Sequence, residues 1–197
     1  EGIDGSGKST LARSLSKALN ASRVTLLTKE PGGTELGSTL RSMLNHSTTP
    51  LDQRTEFLLF AADRAQHFSE TVLPALNKGI VVISDRMADS SLAYQGYGRG
   101  LDINFIESVN SWAMQERSPD IVIYLELPVD VAFDRIHNRN DTLTSLEKEK
   151  KDFWLRVQDG FEKIFRNRTN VIRLNAQDST ESLCTFILNS LQDRNLL

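Results

Sequence analysis

A single cysteine, Cys184, is present among 197 residues, so no disulfide can form within the chain. Set among Leu183, Phe186 and Ile187, that thiol reads as part of a core and not as a nucleophile. The three histidines, His46, His67 and His137, are too far apart for metal-site spacing. No apolar run approaches the ~20 residues needed to span a bilayer, and no secretory leader is visible. The expectation is a cytoplasmic protein without a membrane partner. Basic excess is also missing. With 23 Lys and Arg against 26 Asp and Glu, the formal charge is −3, which argues against a general binder of nucleic-acid polymers. A local basic pocket remains compatible with that balance. There is no internal repeat, low-complexity tract or linker, and the length suits one α/β domain over 1–197.

What is present begins at once, with Gly2-Ile3-Asp4-Gly5-Ser6-Gly7-Lys8-Ser9-Thr10. Glycine, four residues, glycine, lysine and then serine is the phosphate-loop pattern. Its glycines let successive N–H groups turn inward around a phosphate. Lys8 brings an ammonium to the outer phosphates, and the Ser9 hydroxyl is a ligand for Mg²⁺. Leu11, Leu15, Ala18 and Leu19 follow with helical spacing, so a helix N-terminus points at the same anion. A loop of this kind follows a buried strand, and such a strand is expected ahead of Glu1, outside this numbering.

Short apolar runs alternate with helical patterns along the rest of the chain. Arg23–Thr28, Ile80–Ile83, Ile121–Leu125 and Val171–Leu174 read as strands buried on both faces. Asp52–Leu76, Asn104–Gln115 and Ser179–Leu191 carry helix-like spacing. The expected fold is a doubly wound α/β domain with a parallel sheet. Tyr94–Gly100 is too rich in glycine for a stable helix and is expected to be a flexible loop. Segment 138–151, polar and of mixed charge, suits a solvated surface.

Three sets of side chains suit nucleotide chemistry. Asp85-Arg86 follows a strand, where the ligand crevice of an open α/β sheet lies. The carboxylate can hold Mg²⁺ or its waters opposite Ser9, and the guanidinium fork can bind two phosphate oxygens. Taken alone, the same dipeptide also reads as a strand-end ion pair. Phe60 and Arg64 are one helical turn apart, so a flat ring and a donor fork share a face suited to a base. A helix packing its Phe inward while Arg pairs with an acid is the other reading. Ser91 and Gln95 repeat the one-turn spacing with a hydroxyl and an amide able to read a base edge.

Together these motifs resemble the thymidylate kinase family, bacterial type, of the phosphate-loop nucleoside monophosphate kinases. The likeness covers essentially the whole chain. Its specific part is the conjunction of Thr28-Lys29-Glu30-Pro31-Gly32-Gly33-Thr34, Leu40-Arg41, Asp85-Arg86 and Ala93-Tyr94-Gln95-Gly96-Tyr97-Gly98-Arg99-Gly100. The resemblance implies a three-layer fold with a five-stranded parallel sheet, a homodimer, and transfer of phosphate from ATP to dTMP with Mg²⁺. It implies that Asp4, Gly5, Ser6, Gly7, Lys8, Ser9, Thr10 and Arg135 hold ATP, Arg135 lying against adenine, and that Ser9 and Asp85 hold the metal. Asp4 is implied to contact the acceptor's sugar hydroxyl, Arg41 and Arg86 its phosphate, and Phe60 its base. Arg64, Ser91 and Gln95 are implied to read the base edge, Glu30 and Tyr94 to complete the acceptor site, and Pro31 to be cis. Lys8, Arg86 and a lid cation carry the catalysis.

The chain departs from the family pattern at the lid. Gly5 stands where some members carry an arginine inside the phosphate loop, and Ser145 stands where bacterial members place a lid arginine. Arg139 is then the expected lid cation, with Lys148 behind it. Another monophosphate kinase would share the loop but not Phe60–Arg64 with Tyr94-Gln95. A GTP-binding switch would carry Asn-Lys-x-Asp, whereas Asn77-Lys78-Gly79-Ile80 lacks the aspartate.

Overall fold

The computed structural model describes residues 1–47, 49–139 and 142–196. Helix α1 (Lys8–Leu19) springs from the glycine-rich loop and leads to strand β1 (Thr25–Lys29). Helices α2 (Glu35–His46) and α3 (Gln53–His67) follow, and α3 passes through a π-helical turn, Phe68–Val72, into α4 (Leu73–Asn77). That turn lies just before Pro74, which has no N–H to give to a regular helix. Strand β2 (Val81–Asp85) leads to α5 (Ala88–Ser91), which continues as a π-helical stretch, Leu92–Gly98. Then come α6 (Ile103–Ala113), β3 (Val122–Glu126), α7 (Val129–His137), α8 (Lys151–Phe165), β4 (Val171–Asn175) and α9 (Thr180–Asp193).

The architecture is α/β with parallel strands. β1 pairs with β2, from Thr25 opposite Val81 to Lys29 opposite Asp85, and β3 pairs with β4, from Val122 opposite Val171 to Glu126 opposite Asn175. The expected five-stranded sheet differs from what is observed: the described residues form two separate two-stranded pairs. Among the described residues no ladder joins β2 to β3. The opening residues bond to both sides instead, with Glu1 in backbone hydrogen bonds to Ile123 and Leu125, and the Gly2 carbonyl accepting from Arg86. β1 is also less covered than its apolar run suggests, because Leu27 lies on the wall of a large cavity.

The main core gathers on α8. Phe153, Trp154, Val157, Phe161 and Phe165 are all buried, against Tyr94, Tyr124 and Leu125. Each such side chain contributes ~1.5–3 kcal/mol on burial. The apolar face of this helix, which was not among the segments expected to be helical, decides the fate of Tyr94–Gly100. That stretch is not a flexible loop. A Cβ on Gly98 would lie 2.7 Å from the Phe153 ring, and one on Gly96 would lie 2.3 Å from Ile103. Its glycines permit close packing of a wide helical turn against α6 and α8. Tyr94 meets Phe153, Trp154 and Phe161 edge-on at 6.2–6.3 Å between ring centres.

Cys184 is half-buried at the margin of this core. On the outside, Leu58 of α3 and Phe105 and Trp112 of α6 are 55%, 57% and 74% exposed. The last two are seven residues apart and share one face of α6.

Candidate active site

The loop ahead of α1 turns on residues that only glycine can supply. Gly2 has φ +133°, and a Cβ there would sit 2.6 Å from the Leu125 carbonyl oxygen. Gly7 has φ +88° and opens the helix. Lys8 folds back, its Nζ donating to the Ile3 carbonyl at 2.7 Å and to Ser6 Oγ at 3.3 Å. Burial, with the Arg86 guanidinium nearby, lowers the Lys8 ammonium to about 8, against the opposing pull of Asp4 and Asp85.

Asp4 is held by the end of β2 and by the π-helical stretch together. Arg86 Nη2 donates to Asp4 Oδ1 at 2.5 Å, and the Tyr94 hydroxyl donates to Oδ2 at 2.9 Å. Burial raises the Asp4 carboxyl, but Arg86 and Lys8, with these hydrogen bonds, outweigh it and hold the group at about 2. The stabilisation is therefore present above the ordinary value of 3.8 and is lost as pH falls toward 2. Arg86 also donates to Gly2 O and Ser90 Oγ, each at 3.0 Å, and has φ +70°, a conformation that costs a non-glycine residue of order 1–3 kcal/mol. Its terminal nitrogens are thus already engaged by the protein, as in the ion-pair reading of this dipeptide, with Asp4 as the acid.

Ser9 Oγ donates to Asp85 Oδ2 at 2.5 Å. These two hard oxygens at a helix N-terminus fit Mg²⁺, which keeps waters and takes phosphate oxygens as its other ligands. Among the described residues no cluster of three or more His, Cys, Asp or Glu could hold a metal without such help.

A cavity of about 1000 Å³ runs from this loop to α3. Lys8, Arg41, Arg86, Arg135 and Arg139 are among the bases on its wall, which outnumber the acids Asp4, Glu30, Asp85 and Glu147. A chain of net negative charge thus has a basic cavity. At its α3 end stand Phe60, Arg64, Ser91, Tyr94 and Gln95, as the one-turn spacings suggested. Arg64 is buried, donating to Asn110 Oδ1 at 2.7 Å, Ser91 Oγ at 3.1 Å and the Met87 carbonyl at 3.2 Å. Its Nε lies 2.9 Å from Glu30 Oε2, an ionic contact off the N–H axis. The other Glu30 oxygen is 2.9 Å from His67 Nδ1, and His67 Nε2 is 2.6 Å from Thr28 Oγ1. Gln95 donates to Glu56 Oε1 at 2.9 Å. Glu30 thus faces inward as a brace for Arg64, and the Glu30–Pro31 peptide is cis, as expected.

Arg41 donates to the Pro31 carbonyl at 2.8 Å. Arg135 donates to Gly5 O and Ala176 O, each at 3.2 Å, tying the loop to the end of β4. Segment 138–151 is described except at 140 and 141. Ser145 Oγ donates to the Asn45 carbonyl at 3.2 Å, so this segment reaches α2 across the cavity. Arg139 lies on the cavity wall but pairs with Glu147, whose other oxygen accepts the Thr144 N–H at 2.9 Å. Lys148 is exposed and stands off the wall. Sequence reasoning missed Glu56, Asn110 and the Glu147 pairing. Glu56, one turn before Phe60, was within reach of the same spacing argument.

A glycine-rich loop entering a helix, a strand-end Asp-Arg and a large basic cavity define a phosphate-loop nucleotide-binding protein of α/β class. Comparison with known proteins narrows this. The family model described as thymidylate kinase matches residues 1–187. The chain is 42% identical to the thymidylate kinase of Prochlorococcus marinus (strain NATL2A), over 98% of this chain and 93% of that one. Against the thymidylate kinase of Carboxydothermus hydrogenoformans it is 40% identical, over 85% and 83%. Against that of Halothermothrix orenii it is 41% identical, over 93% and 89%. The chain belongs to the thymidylate kinase family.

The lowered Lys8 ammonium gives a pH test. Because its charge is lost as pH rises through about 8, affinity of the free protein for a nucleoside triphosphate should fall by up to tenfold per unit above that value. Equilibrium titration between pH 6.5 and 9.5 measures this, and affinity flat to pH 9.5 would contradict the placement of Lys8.

Proposed function

We propose that the chain transfers the γ-phosphate of ATP to dTMP, giving dTDP, as a single phosphate-loop kinase domain with a lid at 138–151. The observation that carries the reading is one cavity joining the Lys8–Ser9 loop to the Phe60–Arg64 face of α3. Family membership supports the substrate pair.

In this reading the loop amides of Gly5, Ser6 and Gly7, with Lys8 and Thr10, bind the ATP phosphates, and Arg135 lies against adenine. Ser9 and Asp85 hold Mg²⁺, which supplies neutralisation of phosphate charge when bound. Phe60 stacks on thymine, while Arg64, Ser91 and Gln95 meet its polar edge. The bonds Arg64 makes to Asn110, Ser91 and Met87 fix its guanidinium before any ligand arrives, and Glu56 fixes the Gln95 amide. Such preorganisation lowers the ordering cost of binding. Asp4 receives the acceptor's sugar hydroxyl with Tyr94 beside it, and Arg41 and Arg86 face its phosphate.

An ionised acceptor phosphate oxygen attacks the γ-phosphorus in line, so no general base is required. Catalysis is positioning with charge stabilisation by Lys8 and Arg86. The Ser145–Asn45 contact gives the lid a seat on α2 from which it excludes water. Arg139 acts from that lid with its charge partly neutralised by Glu147. A homodimer goes with this reading, supported by the family and by exposed Leu58, Phe105 and Trp112, as does a cytoplasmic setting that supplies ATP. Trp112→Glu should then sediment as a monomer where the parent sediments as a dimer, and a monomeric parent would contradict the pairing.

ADP release from ATP should require dTMP and fall by orders of magnitude with dCMP, because donors arranged for a carbonyl are left unpaired by an amino group. Removing Arg64 outright would strand buried Glu30, so the informative variant is Arg64→Lys, which keeps a cation there and loses the fork. It should lower kcat/KM for dTMP by ~10² or more and narrow the dTMP/dCMP gap. Equal ADP release with and without dTMP would sink the kinase reading, and an unchanged ratio in Arg64→Lys would move base recognition elsewhere.

A further inference from the structure

The phosphate loop carries no arginine, and Arg139, the arginine of segment 138–151 on the cavity wall, is paired with buried Glu147. Charge developing on the transferring phosphoryl group calls for a cation between donor and acceptor, and in phosphoryl transfer such a group is worth ~10³–10⁵ in rate. Among the described residues, segment 138–151 offers none that is unpaired and on the cavity wall.

Strand β1 does. Successive side chains of a strand point to opposite faces. Thr28 reaches His67 on α3, so Lys29 points to the other face. In the parallel register Lys29 is opposite Asp85, which faces Ser9 at the start of α1. The two side chains therefore stand on one face, on adjacent strands about 4.8 Å apart. A Cβ on Gly32 would lie 3.1 Å from Arg41 Cδ and 3.8 Å from Lys29 Cε, so the end of the lysine stem lies close to Gly32, on the same side as Arg41. Lys29 is exposed, lines the cavity, and has no carboxylate partner among the described residues.

We propose that Lys29 is a catalytic residue whose ammonium donates to the oxygens of the phosphoryl group in flight. It takes, from β1, the part that the sequence pointed to in a lid cation. The assignment rests on the kinase reading above. In the step concerned, an acceptor phosphate oxygen forms its bond to the γ-phosphorus as the bond to the β,γ-bridging oxygen breaks. That electron pair leaves with ADP, and no proton moves to or from Lys29. Because the contact strengthens as charge shifts onto these oxygens, its loss acts on the transfer rate more than on binding.

The test is single-turnover transfer from ATP to dTMP, with equilibrium dTMP binding and thermal unfolding, for Lys29→Ala, Lys29→Arg, Arg139→Ala and Lys148→Ala. Lys29→Ala should slow transfer by ~10²–10³ with dTMP affinity changed less than about threefold, and Lys29→Arg should recover most of the rate. Arg139→Ala should cost about tenfold at most, and Lys148→Ala almost nothing. Transfer within about threefold of the parent in Lys29→Ala overturns the assignment, as does a loss confined to dTMP affinity or a larger loss in Arg139→Ala. Parent ADP release that does not depend on dTMP overturns instead the kinase reading beneath it.

Discussion

The site depends on one ion pair, Asp4 with Arg86. Asp4 belongs to the loop between the chain start and α1, Arg86 to the turn after β2, and the Tyr94 hydroxyl bonds to both. Three segments distant in sequence are thereby fixed to one another at the mouth of the cavity. Tyr94 is itself held by edge-on contacts to Phe153, Trp154 and Phe161, so the pair is anchored in the largest apolar cluster of the protein. Burial raises the Tyr94 hydroxyl well above its ordinary range and leaves it a hydrogen-bond donor to Asp4. The positive φ of Arg86 is a cost the fold accepts to aim the guanidinium at the loop.

A second braced assembly stands at the other end of the cavity. Glu30, Arg64, His67 and Thr28 form a buried chain from β1 to α3, and Asp63 accepts the Gly32 N–H at 2.9 Å. Burial raises the Asp63 carboxyl, as one expects for an acid crowded by Glu30. Buried polar groups of this kind are costly to break and hold their members in one geometry. The chain thus builds two braced ends of the cavity, one around Asp4–Arg86 and one around Arg64. Between them the cavity is lined by residues of β1, α2 and segment 138–151.

Local chemistry in the sequence made much of this legible. The phosphate loop, the four strand runs and helices α1, α3, α6 and α9 followed from spacing alone, and Phe60–Arg64 with Ser91–Gln95 proved to share a chamber. What failed was long-range. Tyr94–Gly100 read as a loop because glycine disfavours helices locally, yet Gly96 and Gly98 are there so that Ile103 and Phe153 can approach. Arg139 read as a free lid cation because Glu147 is brought to it only by the fold, and the acid that pairs with Arg86 is Asp4, distant in sequence, which no strand-end spacing could name. Strand pairing is likewise absent from apolar runs, which carry no register, so two separate parallel pairs could not be foreseen.

If Asp4 and Arg86 act as one unit, disabling either should remove most of what both supply. The most direct measurement is a double-mutant cycle on kcat/KM for dTMP with Asp4→Asn, Arg86→Lys and the combined variant. The expected result is that each single change costs ~10² or more while the double variant is within about threefold of the worse single one. Losses that multiply would show the two side chains working independently, and would contradict the pair as the keystone of the site.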